Sequence, residues 1–351
     1  MTVTAESSAE VFEPGLRPVP HPNRVWTRHL VVLVVVLVVA AFVPEVLPAS
    51  QQAVAVQVVI FAIMAVGWNL MSGFGGMFNF GNAAYFGVGA YADAYLLVEH
   101  GVSPWIGMVV GAVIAAVLAA GIGFLTFRYN VRGAYFALAT FAFAEMLRLI
   151  ATNTGLVNRG VGYNVPLVTG ASWAKLQFPA GDARYFWTGL GLLALAVLVT
   201  IGYLRSRAGQ YTIAIRDDEA AASSLGVNVL RYRLLTMALS GAITAVAGAF
   251  FCQYYLFVNP DLAFGQTQSI QSILPAVVGG VGTLWGPLIG ACILAPLDTA
   301  TSSLLRHPPA ALSFLAGRSG LDVVIYAVLL ILIVLLMPKG IYGALRDRFR
   351  R

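Results

Sequence analysis

RSRAGQYTIAIRDDEAAASSLGVNVLRYR, residues 205–233, is the only long hydrophilic interruption in the second half of an otherwise apolar chain. Arg205, Arg207, Arg216, Arg231 and Arg233 lie in it or at its edges. Such a cationic excess between apolar runs places a loop in the cytoplasm. Within it, Asp218-Glu219-Ala220-Ala221-Ala222 is a good helix former, acidic where a helix dipole favours negative charge, and Gly226 can end that helix. A short helix there spans nothing, so it is a candidate handle for a partner.

Outward from this loop, composition settles the class. The 351 residues are 59% hydrophobic and 10% charged, with a mean hydropathy of +0.82. Soluble domains carry roughly 25% charged residues, so the chain reads as an all-α polytopic membrane protein. Its net charge of +6 does not point to nucleic acid, because the basic residues stand at the ends of apolar runs and orient them in the bilayer. Cys252 and Cys292 lie in apolar segments without a CxxC and read as packing residues. Asp93, near the end of an apolar run, reads as interfacial. Leu47-Pro48-Ala49-Ser50 faintly resembles a signal-peptidase site, but the long polar stretch before it favours an uncleaved first helix.

A bilayer core of about 30 Å needs about 20 apolar residues per helix. Spans are expected near Leu30–Val46, Ala53–Met71, Ala83–Val98, Pro104–Phe127, Ala134–Thr152, Tyr185–Leu204, Leu234–Val258, Ser269–Gly282, Leu284–Leu305 and Leu321–Met337. About ten helices put both termini on the cytoplasmic side, in agreement with Lys339, Arg346, Arg348, Arg350 and Arg351 after the last span. Residues 1–29 then form an N-terminal tail, 30–338 the membrane domain with the 205–233 loop inside it, and 339–351 a basic tail. The 153–184 stretch is the longest outward loop, and Trp173, Tyr185 and Trp187 suit interfacial positions. It reads equally well as a solvated connector or as a dock for an external partner.

Two glycine-rich interruptions break the helical pattern, one over residues 73–82 and the other over residues 279–287. Broken segments at corresponding places in two halves point to a transport site, since unwound backbone is tolerated in a membrane only where it is buried in protein or lines a cavity. The competing reading is close helix packing, for which Gly282, Gly286 and Gly290 have the spacing. Packing is favoured for the second interruption. The polar amides Asn69, Asn79 and Asn82 favour a path for the first.

The chain has two lysines, Lys175 and Lys339, neither in a phosphate-loop context. No metal-binding or nucleophile motif stands in it either. Glu145 is the clearest embedded ionisable group, with Arg148 three residues on. It reads as a coupling or substrate contact, or more simply as half of a self-compensating ion pair.

Four stretches together resemble the permeases of branched-chain amino acid type ABC importers, LivM-like subunits in particular. They are residues 67–91, residues 132–148, Ala214-Ile215-Arg216-Asp217-Asp218-Glu219 with Gly226 and Asn228, and residues 279–290. The resemblance implies a LivM-like fold in a bacterial inner membrane. It implies that Arg216, Asp217, Asp218, Glu219, Ala221, Ala222, Gly226 and Asn228 form a coupling loop docked on an ATPase subunit, which binds ATP and Mg while this chain holds no cofactor. A homologous permease, two ATPases and an extracytoplasmic solute-binding protein are the implied partners. Asn69, Gly76, Asn79, Gly81, Asn82, Tyr85, Glu145, Gly280 and Trp285 are the candidate translocation path. Met77, Asn79 and Asn82 stand where relatives commonly show Gln, Ser and His, which leaves open a preference for urea or short amides. The other alternative is an ion-coupled secondary transporter using Glu145.

Overall fold

The computed structural model describes residues 22–167, 170–179, 181–306 and 340–343. Helix α1 (Pro22–Ala41) and the short α2 (Val43–Val46) lead into α3 (Ala49–Asn69), which continues as a π-helical turn, Leu70–Phe74. Three helices follow: α4 (Asn82–His100), α5 (Pro104–Arg128) and α6 (Gly133–Asn153). After strand β1 (Tyr163–Asn164) come α7 (Ala183–Arg205), α8 (Arg207–Asp217), α9 (Glu219–Ser224) and α10 (Val229–Tyr255). Strand β2 (Phe257–Val258), α11 (Pro260–Phe264), α12 (Gln266–Gly279) and α13 (Gly286–Arg306) complete the described order. The expected span Leu321–Met337 and both tails lie outside the described residues.

Helix ends follow local chemistry. Pro104 starts α5, where a missing N–H costs nothing. Asp218 caps α9 by accepting from the Ala221 amide at 2.9 Å, and Asn228 caps α10 by accepting from Arg231 at 3.0 Å. Among the described residues, five segments are long and apolar enough to cross a membrane: Gln51–Phe74, α5, α6, α7 and α10. Helix α4 has twelve buried residues, and in both α5 and α6 at most 33% of the apolar window is buried, leaving broad faces for lipid.

The 27-residue α10 is the central post, packed along α3, α4 and α5. Lipid is as apolar as leucine, so close packing rather than water exclusion holds such helices together. The α4–α10 contact works because its crossing points lack side chains. A Cβ on Gly89 would strike the Ala245 carbonyl, and one on Gly248 would strike that of Phe86.

Several expectations change. The 205–233 loop holds two helices rather than one, because Ser206 breaks the chain after α7 and caps α8, accepting from the Gly209 amide at 3.3 Å. At the opposite end two short strands stand within the all-α fold: β1 and β2 pair antiparallel and tie the 153–184 loop to the end of α10. Asp93 is fully buried within the protein; Gln253 on α10 donates to its carboxylate at 2.5 Å, and the absence of a side chain on Gly107 of α5 makes room. Tyr185 is buried too, its hydroxyl accepting from the Phe178 amide at 3.1 Å, while Trp173 and Trp187 are exposed. Cys252 packs in the interior, but Cys292 faces outward from α13.

Candidate functional site: the glycine turns beneath the arginine loop

Alternation of the spans carries both glycine-rich interruptions to the end of the bundle that bears the arginine loop. Asn69, the last residue of α3, joins them. Its Oδ1 accepts from the Gly282 amide at 2.8 Å and its Nδ2 donates to the Thr283 carbonyl at 2.9 Å. One buried side chain therefore satisfies one donor and one acceptor of an unwound segment more than 200 residues away. The chain leaves α3 through the π turn that follows Asn69, a local geometry found often at functional sites.

Arg216, in the last turn of α8, reaches into the same place. Its Nη1 donates to the Gly73 carbonyl at 3.2 Å, while Nε and Nη2 hold Asp217 Oδ1 at 2.9 and 2.7 Å. Gly76 lies directly under the arginine stem, with φ +68° and no room for a side chain, since a Cβ would come 2.6 Å from Arg216 Cγ. The loop and the broken spans are thus in direct contact.

The rest of the first interruption is pinned from within the bundle. Ser72 donates to the Met77 carbonyl at 2.9 Å and accepts from the Asn79 amide at 3.2 Å. Trp68 donates to the Asn79 carbonyl at 2.7 Å, and Asn79 Oδ1 accepts from the Gly81 amide at 2.8 Å. Gly81 itself presses on the Thr140 backbone. Asn82 starts α4, and its Oδ1 has a long 3.4 Å contact from the Thr244 hydroxyl. The Nδ2 atoms of Asn79 and Asn82 are buried without a hydrogen-bond partner among the described residues. Tyr85 is fully buried in the cluster of Met71, Ala115 and Met237.

In the second interruption, Thr283 donates to the Gly280 carbonyl at 2.7 Å and accepts from the Gly286 amide at 3.1 Å, closing a tight turn. Trp285 donates to His29 Nδ1 at 3.1 Å, linking the turn to α1. Gly286 and Gly290 also pack against the backbone of Gly280 and Pro275, so close helix packing and a buried turn coexist here. Gly282 belongs to the turn rather than to α13.

Helix α9 is held against the bundle on one side only. Glu219 accepts from Arg233 Nη1 and Nη2 at 3.2 and 2.8 Å, with Arg132 at 3.3 Å. The Arg233 guanidinium stands 5.3 Å from the centroid of the Phe127 ring. Ala222 is buried beneath, whereas Ala221, Gly226, Asn228 and Leu225, the last at 85% exposure, face out. A buried hydroxyl cluster of Tyr203, Thr212 and Thr236, with separations of 2.7–3.2 Å, fixes α8 to α7 and α10.

Glu145 lies apart from these residues, towards the end of α6 away from the loop. Arg148 holds it at 2.6 Å and also holds Asp261 of α11 at 2.6 Å. The ion-pair reading of Glu145 matches this geometry, and Asp261 is a member that sequence reasoning missed. Ser72, Thr140, Thr283 and Gln253 were missed as well. Their signal was present, since each is a polar group in or beside an apolar span. Among the described residues, no group of three His, Cys, Asp or Glu could hold a metal ion.

Comparison with known proteins agrees with the architecture. The chain is 26% identical over 312 residues to the high-affinity branched-chain amino acid transport system permease protein LivM of Escherichia coli strain K12, covering 81% of this chain and 72% of the relative. It is 28% identical over 296 residues to LivH of Salmonella typhimurium strain LT2, covering 81% and 91%. The autoinducer 2 import system permease protein LsrC of Klebsiella pneumoniae is 34% identical over 193 residues, covering 51% and 55%. No solved structure matches at a significant level. The sequence pattern of the family described as branched-chain amino acid transport system / permease component matches residues 51–336. With most of its length matched in this way, the chain belongs to that family of membrane permease components, which are not enzymes.

Proposed function

We propose that this chain is the permease subunit of an ABC importer, passing branched-chain or related small amino acids that a solute-binding protein delivers outside the cytoplasm. ATP and Mg are bound by separate ATPase subunits, and a homologous permease completes the membrane pair in the bacterial inner membrane. The observation that carries this reading is the contact of Arg216 with Gly73 and Gly76, together with the Asn69 bridge to Gly282 and Thr283.

Helices α8 and α9 are the coupling element. An ATPase subunit that closes against Ala221, Leu225, Gly226 and Asn228 pushes on α9, whose Glu219 is tied to Arg233 and Arg132. Asp217 and Asp218 lie at the α8–α9 joint, where Arg216 turns that displacement into a pull on the first glycine turn. Asn69 carries it to the second. A bistable packed core converts such small shifts into a switch of access. Asn79, Gly81, Asn82, Tyr85, Gly280 and Trp285 are the buried residues next to these hinges, where a path through the chain would open.

The family relatives support import of amino acids over urea or short amides, and the locked Glu145–Arg148–Asp261 network argues against Glu145 as an ion-coupling group. The test is purification from native membranes of the intact chain and of a Glu219→Arg, Gly226→Arg variant. ATPase subunits retained by the intact chain and lost by the variant are the expected result. An intact chain that purifies alone, yet transports in vesicles without ATP, would overturn the reading.

A further inference from the structure

The arginines at the loop-bearing end of the bundle divide into two groups. Arg132, Arg216 and Arg233 are ion-paired with Glu219 or Asp217. Arg205 and Arg207 are exposed, and neither has an ion-pair partner among the described residues. They flank Ser206, where the chain turns from α7 into α8. One is therefore the last residue of a helix long enough to cross a membrane, and the other stands just past it.

Helix α7 presents a single open face. Its exposed residues are Trp187, Gly191, Leu195, Leu198, Gly202 and Arg205, and steps of three and four put them in one stripe. A Cβ on Gly191 or Gly202 would meet nothing within 4 Å, so the stripe holds two hollows that no described residue fills. Its length matches a bilayer. At about 1.5 Å per residue, Trp187 stands about 27 Å from Arg205, close to the thickness of about 30 Å of the hydrocarbon core. Trp187 then lies at one interface and Arg205 at the other, as interfacial anchors do. Leu195 is about 15 Å from Arg205, the depth of one leaflet.

We propose that the α7–α8 corner is a binding site for an anionic phospholipid, its phosphate held by Arg205 and Arg207 and an acyl chain lying along Leu198 and Leu195 in the hollow at Gly202. Guanidinium groups bind phosphate oxygens through paired N–H donors. A headgroup with net negative charge neutralises the two arginines, whereas phosphatidylcholine brings a cation of its own beside them. Orienting the span needs only arginines near its end. A lipid site needs them unpaired, close together and at the mouth of an open apolar stripe, and it does not depend on which solute the chain passes.

For the test, the full chain is held on an affinity resin and equilibrated with detergent micelles containing equal amounts of dioleoylphosphatidylglycerol and dioleoylphosphatidylcholine, and the lipid retained after washing is extracted and counted. Retention of phosphatidylglycerol is expected to exceed that of phosphatidylcholine by about fivefold for each arginine. The preference should fall to near parity in an Arg205→Gln, Arg207→Gln chain and persist in Arg128→Gln, which removes the exposed arginine at the end of α5. Both variants should keep the parent's unfolding temperature in phosphatidylcholine micelles, which separates loss of the site from loss of the fold. In the parent, raising salt from about 0.1 M to about 1 M shortens the screening length from about 10 Å to about 3 Å and should weaken the preference. Equal retention of the two lipids by the parent, a double variant that keeps the preference, or an equal loss in Arg128→Gln would overturn the site. Displacement of the lipid by inorganic phosphate at the same concentration would make the corner a site for free anions and overturn the lipid assignment.

Discussion

Asn69 shows how much one side chain can decide. A buried amide with both ends bonded to backbone is stable only while both partners stay put, and removing it leaves the Gly282 amide and the Thr283 carbonyl short of partners. Asn69→Ala is expected to cost about 1–3 kcal/mol, seen as a lower unfolding temperature in detergent. The conservative Asn69→Asp should recover less than half of that loss, because a carboxylate cannot donate to Thr283. The buried Asp93–Gln253 pair gives a second case. Polar pairs between membrane helices are worth about 0.6–1.7 kcal/mol. Gln253→Leu should therefore destabilise by about that amount or more, whereas Asp93→Asn, which still accepts from Gln253, should stay near the parent. Equal losses for the two variants would mean that the pair is not what holds α4 to α10 at this point.

At the scale of elements, the short α9 owes its position to ion pairs rather than to its own length. Six residues make too little helix to stand alone, and Glu219 anchors them to Arg233 and Arg132. Glu219→Gln is expected to raise deuterium uptake over residues 219–228 without altering α10, and to weaken ATP-driven transport more than assembly. On the opposite face, Arg148 ties α6 to α11, but Asp261 is 77% exposed at its side chain. Exposed pairs are worth about 0–1 kcal/mol, so Arg148→Met should loosen residues 260–264 in hydrogen exchange while the unfolding temperature hardly moves. A large drop in that temperature would show the network to be structural rather than local.

For the whole molecule, the arrangement separates a closely packed post from the end at which the proposed coupling element lies. Helices α3, α4, α5 and α10 are packed through small residues, while the interruptions and α8–α9 meet at one face through hydrogen bonds to backbone. A permease so built is expected to depend on nucleotide held elsewhere. Uptake by the reconstituted assembly should stop on ATP depletion and continue at first when a protonophore collapses the ion gradient. The reverse order of sensitivity would return the ion-coupled alternative and make Glu145 the residue to test.

The sequence by itself determined the membrane class, the approximate limits of the five described helices long enough to cross a bilayer, the two broken segments and the polar loop, because hydropathy and backbone-breaking residues act locally. It also exposed Glu145 and Arg148 as a pair, since i,i+3 spacing puts them on one helix face. Only the tertiary structure decided that Asn69 meets Gly282, that Arg216 lies over Gly76, and that Asp261 joins the Glu145 pair. It likewise decided that Asp93 is buried against Gln253. In each case the partner is supplied by a segment distant in the chain, and the need of a buried polar group for a partner says that one exists without saying where it stands.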